Sequence, residues 1–156
     1  MTKLYIFWDF KMYKSLTRRV HMSIIVHSSY SRDDILRAVD GPDSVIYFIG
    51  IGGISMSALA ELMLRGGYSV CGSNIEKNDA AEHLISLGID ISFAHSPERI
   101  SAIMPTLVVY SLAISSENPE YLAALRLGIM TVSRGTRPGT KLKPCTGIFP
   151  RASAIR

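Results

Sequence analysis

Between residues 44 and 135 short apolar-rich segments alternate with segments of helical spacing. Val45–Ile49 is five apolar residues in a row stopped by Gly50, the mark of a strand buried on both faces. Ile54–Arg65 places Leu59, Leu62 and Met63 on one helical face and closes on Gly66-Gly67. Tyr68–Gly72 reads as a second strand, Asp79–Leu87 as a helix stopped by Gly88, and Ile89–Phe93 as a third strand. Thr106–Ser111 is the fourth strand and the most apolar. Asn118–Leu127 is a helix ending at Gly128, and Ile129–Ser133 is the fifth strand. Alternating strands and helices predict an α/β fold, a Rossmann-like open parallel sheet of about five strands with helices on both faces and right-handed crossovers.

The flanking segments have a different pattern. In residues 1–43 only one short helix is legible: Ser31-Arg32-Asp33-Asp34 has the form of a capping box, Ile35, Leu36, Ala38 and Val39 supply an apolar stripe, and Gly41-Pro42 stops it. Residues 1–21 show no period, and Met22 is an alternative start. Residues 136–156 contain Pro138, Pro144 and Pro150, no acidic residue and no apolar period, and are expected to be a disordered or out-of-frame basic tail. The expected organisation is therefore an extension over 1–43, one domain over 44–135 and a tail over 136–156.

Charge changes this picture once it is divided along the chain. The net charge is +4, but residues 44–135 hold 5 Lys/Arg against 8 Asp/Glu, whereas the tail holds 5 Lys/Arg and no acid. A nucleic-acid-binding domain carries its positive charge on the folded face that binds. An acidic centre argues against that partner. No apolar run approaches the ~18 residues of a membrane span, so no membrane partner is expected. The two cysteines, Cys71 and Cys145, form neither a disulfide framework nor a metal-ligand spacing. No metal site is expected, and a reducing, cytoplasmic compartment fits.

The chemistry is concentrated in Gly50-Ile51-Gly52-Gly53-Ile54-Ser55-Met56-Ser57, which follows a strand and opens a helix. Glycines let the backbone turn sharply and approach a ligand. The first helical turn offers unpaired N–H groups and a partial positive charge, a setting for a diphosphate. Ser55 and Ser57 hydroxyls are further candidate donors. As a dinucleotide fingerprint the loop is imperfect, with Ser55 where Gly or Ala is usual, and the second strand ends in Gly72-Ser73-Asn74 without the acid that holds ribose hydroxyls.

The segment from Val45 to Ala60 resembles the opening of the Mur ligases that add L-alanine to UDP-N-acetylmuramate. The resemblance continues at Gly72-Ser73-Asn74, where the family usually has Gly-Ser-Asp, and at Ala94-His95, where it has Gly-His. It continues at Ser111-Leu112-Ala113-Ile114, usually Ser-Ser-Ala-Ile, and at Asn118-Pro119-Glu120, and ends near Ser133-Arg134. The resemblance implies a UDP-sugar-binding domain. Gly50, Gly52, Gly53, Ser55 and Ser57 would cradle the diphosphate, Asn74 would face the uridine, and Ser73 is a further candidate for binding the UDP-sugar. His95, Ser111, Ala113 and Ile114 would line the same crevice. Asn118-Pro119-Glu120 reads most simply as a helix start with Pro at the first position.

The resemblance also implies that the complete enzyme uses ATP and magnesium through a Gly-Thr-His-Gly-Lys-Thr/Ser loop in a following domain. No Gly-Lys-Ser or Gly-Lys-Thr occurs in the 156 residues. The expected partner is UDP-N-acetylmuramate, with no cofactor and no catalytic residue of this chain's own, and with the change at Gly135 read as truncation or a shifted frame. Two alternatives stand beside this reading: an NAD(P)-binding oxidoreductase fragment and a stand-alone nucleotide-binding module. Oligomeric state has no signature in the sequence.

Overall fold

The computed structural model describes residues 30–134. The expectations for residues 1–29 and for the tail beyond residue 134 lie outside the described residues. The elements run α1 (Arg32–Val39), β1 (Val45–Ile49), α2 (Ile54–Arg65), β2 (Ser69–Ser73), α3 (Asp79–Ser86), β3 (Asp90–Ser92), α4 (Pro97–Ile103), β4 (Leu107–Ser111), α5 (Pro119–Arg126) and β5 (Met130–Arg134).

The five strands form one parallel sheet in the order β3-β2-β1-β4-β5. In this register Ile46 lies opposite Val70 and Leu107, and Ile49 lies opposite Ser73 and Tyr110. β1 is therefore the central strand, which explains its continuous apolar run. Its side chains alternate between two cores. Ile46 and Phe48 pack with Leu59, Met63, Leu84, Leu107 and Val109 under α2 and α3. Tyr47 and Ile49 pack with Ile100, Val108, Ala123 and Ala124 under α4 and α5. Helices cover both faces, as the alternation of elements predicts.

Two features were not legible in the sequence. The helix α1, read as lying ahead of the domain, is part of its core: Ile35 and Val39 are fully buried in the α2–α3 layer. Its capping box is formed as expected, with the Asp34 backbone N–H donating to Ser31 Oγ at 3.2 Å and the Ser31 N–H to the Asp34 carboxylate at 3.1 Å. The helix α4 has no counterpart in the sequence reading. Its apolar contribution is essentially Ile100 and Ile103, too few for a helical period, and only Ser96-Pro97-Glu98 marks its start.

Candidate nucleotide-binding crevice

Leaving β1, the chain crosses to β2 on one side, while β4 lies on the other side of β1. Loops that depart in opposite directions leave a crevice at the carboxyl ends of the strands, where open α/β sheets bind ligands. The residues singled out in the sequence all lie at this end. Gly50–Gly53 follows β1, Ser73 ends β2 and Asn74 follows it, His95 lies beyond β3, and Ser111–Ile114 turns out of β4.

The glycine loop is held by β2, since the N–H groups of Gly50 and Ile51 both donate to the Ser73 carbonyl, at 2.8 and 2.9 Å. Gly50 has φ +77°, which a side chain disfavours, and a Cβ there would come 3.3 Å from Ile114 Cδ1 in the turn after β4. Gly52 is required for a different reason. A Cβ at Gly52 would sit 2.8 Å from Asn74 Cγ and 2.9 Å from Asn78 Oδ1. Asn78 in turn donates to the Gly52 carbonyl at 3.0 Å and caps α3 by accepting from Ala81 N–H at 2.9 Å.

Gly53 is the N-cap of α2 and has no side chain to satisfy the first turn, and no acidic residue lies in that turn. Met56 and Ser57 N–H groups donate to the Gly53 carbonyl. Among the described residues, none accepts from the N–H of Gly52, Ile54 or Ser55. Three open donors at the positive end of a twelve-residue helix suit an anion.

The polar side chains around this loop differ in how far they are committed. Ser55 is exposed, with its hydroxyl free among the described residues. Ser57 donates its proton to the Ile54 carbonyl at 3.0 Å, so it offers a ligand acceptor capacity unless it rotates. Asn74 lies over Gly52 and donates to the Glu76 carbonyl at 2.6 Å, which leaves its carbonyl oxygen for a ligand. Ser111 Oγ accepts from Ala113 N–H at 3.2 Å, and Ile114 N–H donates to the Ser111 carbonyl at 3.0 Å, closing a tight turn. Ala113 is exposed on that turn, and Ile114 is half-buried against Gly50. Ser73 faces inward and is fully buried.

Ser73 leads to a feature the sequence reading missed. Glu120, in the first turn of α5, is fully buried. Its Oε1 accepts from the Tyr47 hydroxyl at 2.7 Å and from Ser96 N–H at 3.2 Å. Its Oε2 accepts from Ser73 Oγ and lies 3.0 Å from His95 Nδ1. Burial, and then the adjacent Glu120 carboxylate, push the Tyr47 phenol well above its ordinary value. The helix-start reading of Asn118 holds, since its Oδ1 accepts from Glu120 and Tyr121 N–H at 3.0 and 3.1 Å. The signal that could have exposed Glu120 is Tyr47 itself: a phenol inside a central, otherwise aliphatic strand needs a buried acceptor.

An open parallel sheet with a glycine-rich loop at its switch point defines an α/β domain of the Rossmann-like class. A family model described as "Mur ligase family, catalytic domain" matches residues 45–138, and the chain belongs to the Mur ligase family. The UDP-N-acetylmuramate–L-alanine ligase of Baumannia cicadellinicola is 44% identical over 89 residues, covering 57% of this chain and 18% of that protein. The enzyme of the same name from Acetivibrio thermocellus is 46% identical over 98 residues, covering 63% and 20%. Among solved structures, the UDP-N-acetylmuramate–alanine ligase of Thermotoga maritima matches with TM-score 0.54 and 38% identity, over 57% of this chain and 20% of that one. The chain thus spans about a fifth of the length of these curated relatives.

Proposed function

We propose that this chain carries the UDP-N-acetylmuramate-binding domain of a UDP-N-acetylmuramate–L-alanine ligase, acting in peptidoglycan precursor synthesis in the cytoplasm. The observation that carries this reading is the set of open N–H groups at Gly52, Ile54 and Ser55, at the same end of the sheet as the loops that bear Asn74, His95 and Ser111–Ile114. The donors suit the diphosphate. The Asn74 carbonyl and the loops after β3 and β4 suit the uridine. Ser73 acts behind this layer, through Glu120 and His95. A nicotinamide dinucleotide fits less well, because no carboxylate ends β2 to hold its ribose.

ATP and magnesium, which the family resemblance implies for a complete ligase, do not fit the residues present. The sequence has no phosphate-loop Gly-Lys-Ser/Thr, and no group of three His, Cys, Asp or Glu able to hold a metal occurs among the described residues. No chemical step is therefore assigned to this chain, and its role is to bind and orient the sugar nucleotide. Calorimetric titration of the 156-residue protein with UDP-N-acetylmuramate and with NADH tests the proposal. Binding of the UDP-sugar in preference to NADH is expected, and the reverse preference would overturn it.

A further inference from the structure

The Glu120 cluster has a consequence for the ligand. An ionised carboxylate only accepts hydrogen bonds; Glu120 accepts three, from Tyr47 O–H, Ser96 N–H and Ser73 O–H, and its Oε2 lies 3.0 Å from His95 Nδ1. The single proton of Ser73 goes to Glu120 Oε2, so it is not available to His95, whose Nδ1 also lies 3.0 Å from Ser73 Oγ. His95 Nδ1 must therefore carry its own proton. Every hydrogen bond of the ring uses Nδ1, and none of the described residues reaches Nε2. In a neutral imidazole with Nδ1 protonated, Nε2 is an acceptor.

We propose that Glu120 is a positioning residue that locks His95 in the Nδ1–H tautomer, so that Nε2 accepts a hydrogen bond from an O–H or N–H donor of the ligand. The proposal rests on reading the crevice as a sugar-nucleotide site. In such a ligand the available donors are the ribose hydroxyls and the uracil imide N–H. The diphosphate supplies none. The other charged or titratable groups about the cluster are Tyr47 on β1, Cys71 on β2, and Arg99 on α4, which pairs with Asp90 of β3 at 2.7 Å. None of them contacts the His95 ring.

Replacing Glu120 by Gln gives a specific outcome. The amide NH2 must occupy one of the two oxygen positions. At the Oε1 position it would face Ser96 N–H, a donor that cannot become an acceptor. At the Oε2 position it would face Ser73 and His95, both of which can. The amide therefore settles toward His95 and forces the Nε2–H tautomer, turning the ligand-facing acceptor into a donor.

The test is a long-range 1H–15N spectrum of the ligand-free full chain at a pH of about 8.5, where an ordinary histidine is neutral. The His95 signals are assigned by their loss in His95→Gln. Wild type should show protonated Nδ1, Glu120→Gln should show protonated Nε2, and Tyr47→Phe should keep the wild-type tautomer despite losing one buried hydrogen bond. In calorimetry Glu120→Gln should bind UDP about tenfold more weakly, the size of one lost ligand hydrogen bond, and inorganic diphosphate unchanged. UDP methylated at uracil N3 assigns the donor. A wild-type to Gln ratio that collapses toward unity points to the imide, and a ratio that persists points to a ribose hydroxyl. Protonated Nε2 in wild type would overturn the proposal even if Glu120→Gln failed to fold, and so would an unchanged tautomer in a folded Glu120→Gln protein. Failure of wild type to bind UDP would remove the sugar-nucleotide reading and leave the tautomer assignment standing.

Discussion

Gly52 shows how one hydrogen atom in place of a methyl holds the crevice together. Asn74 and Asn78, both in the segment that leaves β2, occupy the space a Cβ at this position would need. Adding a methyl there displaces Asn78, which ties α3's first turn to the glycine loop. Gly52→Ala should cost about 1–3 kcal/mol, the range for overpacking a close contact, read as a lower urea midpoint, and should weaken UDP binding as well. An Ala variant as stable as wild type would mean that the asparagines move aside freely. Cys71 makes a second residue-scale prediction. Burial pushes its thiol from 9.0 to about 11. At pH 8 its thiolate fraction is then about 100-fold below that of an unperturbed thiol. In a Cys145→Ser background, alkylation by iodoacetamide should be slower by at least that factor in the folded protein than in urea. The unfolded chain ionises first, so the thiol's contribution to stability is complete below pH 9 and is lost as pH rises toward 11. A denaturation midpoint that holds steady over that interval would contradict this.

At the scale of elements, the helix that sequence patterning missed is also the one with a strained end. Met104 caps α4 in the left-handed region, with φ 47° and ψ 58°, and is the only non-glycine residue with positive φ among the described residues. The residue is 57% exposed, so little packing is lost if its side chain is removed. A non-glycine residue in this region costs roughly 1–2 kcal/mol, part of which glycine gives back through its freer unfolded chain. Met104→Gly should therefore stabilise the protein by about 0.5–1 kcal/mol, seen as a higher urea midpoint at unchanged slope. The same segment shows where pattern reading stops. Helices α2, α3 and α5 end at or just before a glycine and carry a clear apolar face, and each was legible to within a residue or two. Helix α4 has two isoleucines facing the core and a methionine where a glycine stop would be expected, so neither the period nor the terminator is present in its sequence. Strand β3 is shorter than the segment Ile89–Phe93 predicted for it, spanning only Asp90–Ser92, because at the sheet edge it pairs only with β2. Glu120 escaped for a different reason: a glutamate after Asn-Pro satisfies every helix-start rule, and only the fold brings it beneath Tyr47.

For the molecule as a whole, the crevice gathers loops from four strands, so a bound ligand would bridge segments that the sheet connects only through its strand ends. Hydrogen exchange can separate this bridging from general stabilisation. Amides that exchange only by global unfolding slow uniformly on binding, by about 2.7 kcal/mol at a ligand concentration 100 times Kd. Amides that exchange from the folded state slow only where the ligand covers them. The loop contains both kinds side by side. The Gly50 and Ile51 N–H groups are already bonded to the Ser73 carbonyl, whereas those of Gly52, Ile54 and Ser55 have no acceptor among the described residues. Saturating UDP-N-acetylmuramate should slow Gly52, Ile54 and Ser55 by about tenfold or more, the effect of one new hydrogen bond to each. It should slow the turn at Ala113 and Ile114 to a lesser degree, and leave the exposed residues of α1, which carries none of the crevice residues, unchanged. If Gly52, Ile54 and Ser55 keep their free-state rates while the core slows, the ligand binds elsewhere on the fold. The glycine loop would then be a packing turn between β1 and α2, and its open N–H groups would be solvated by water.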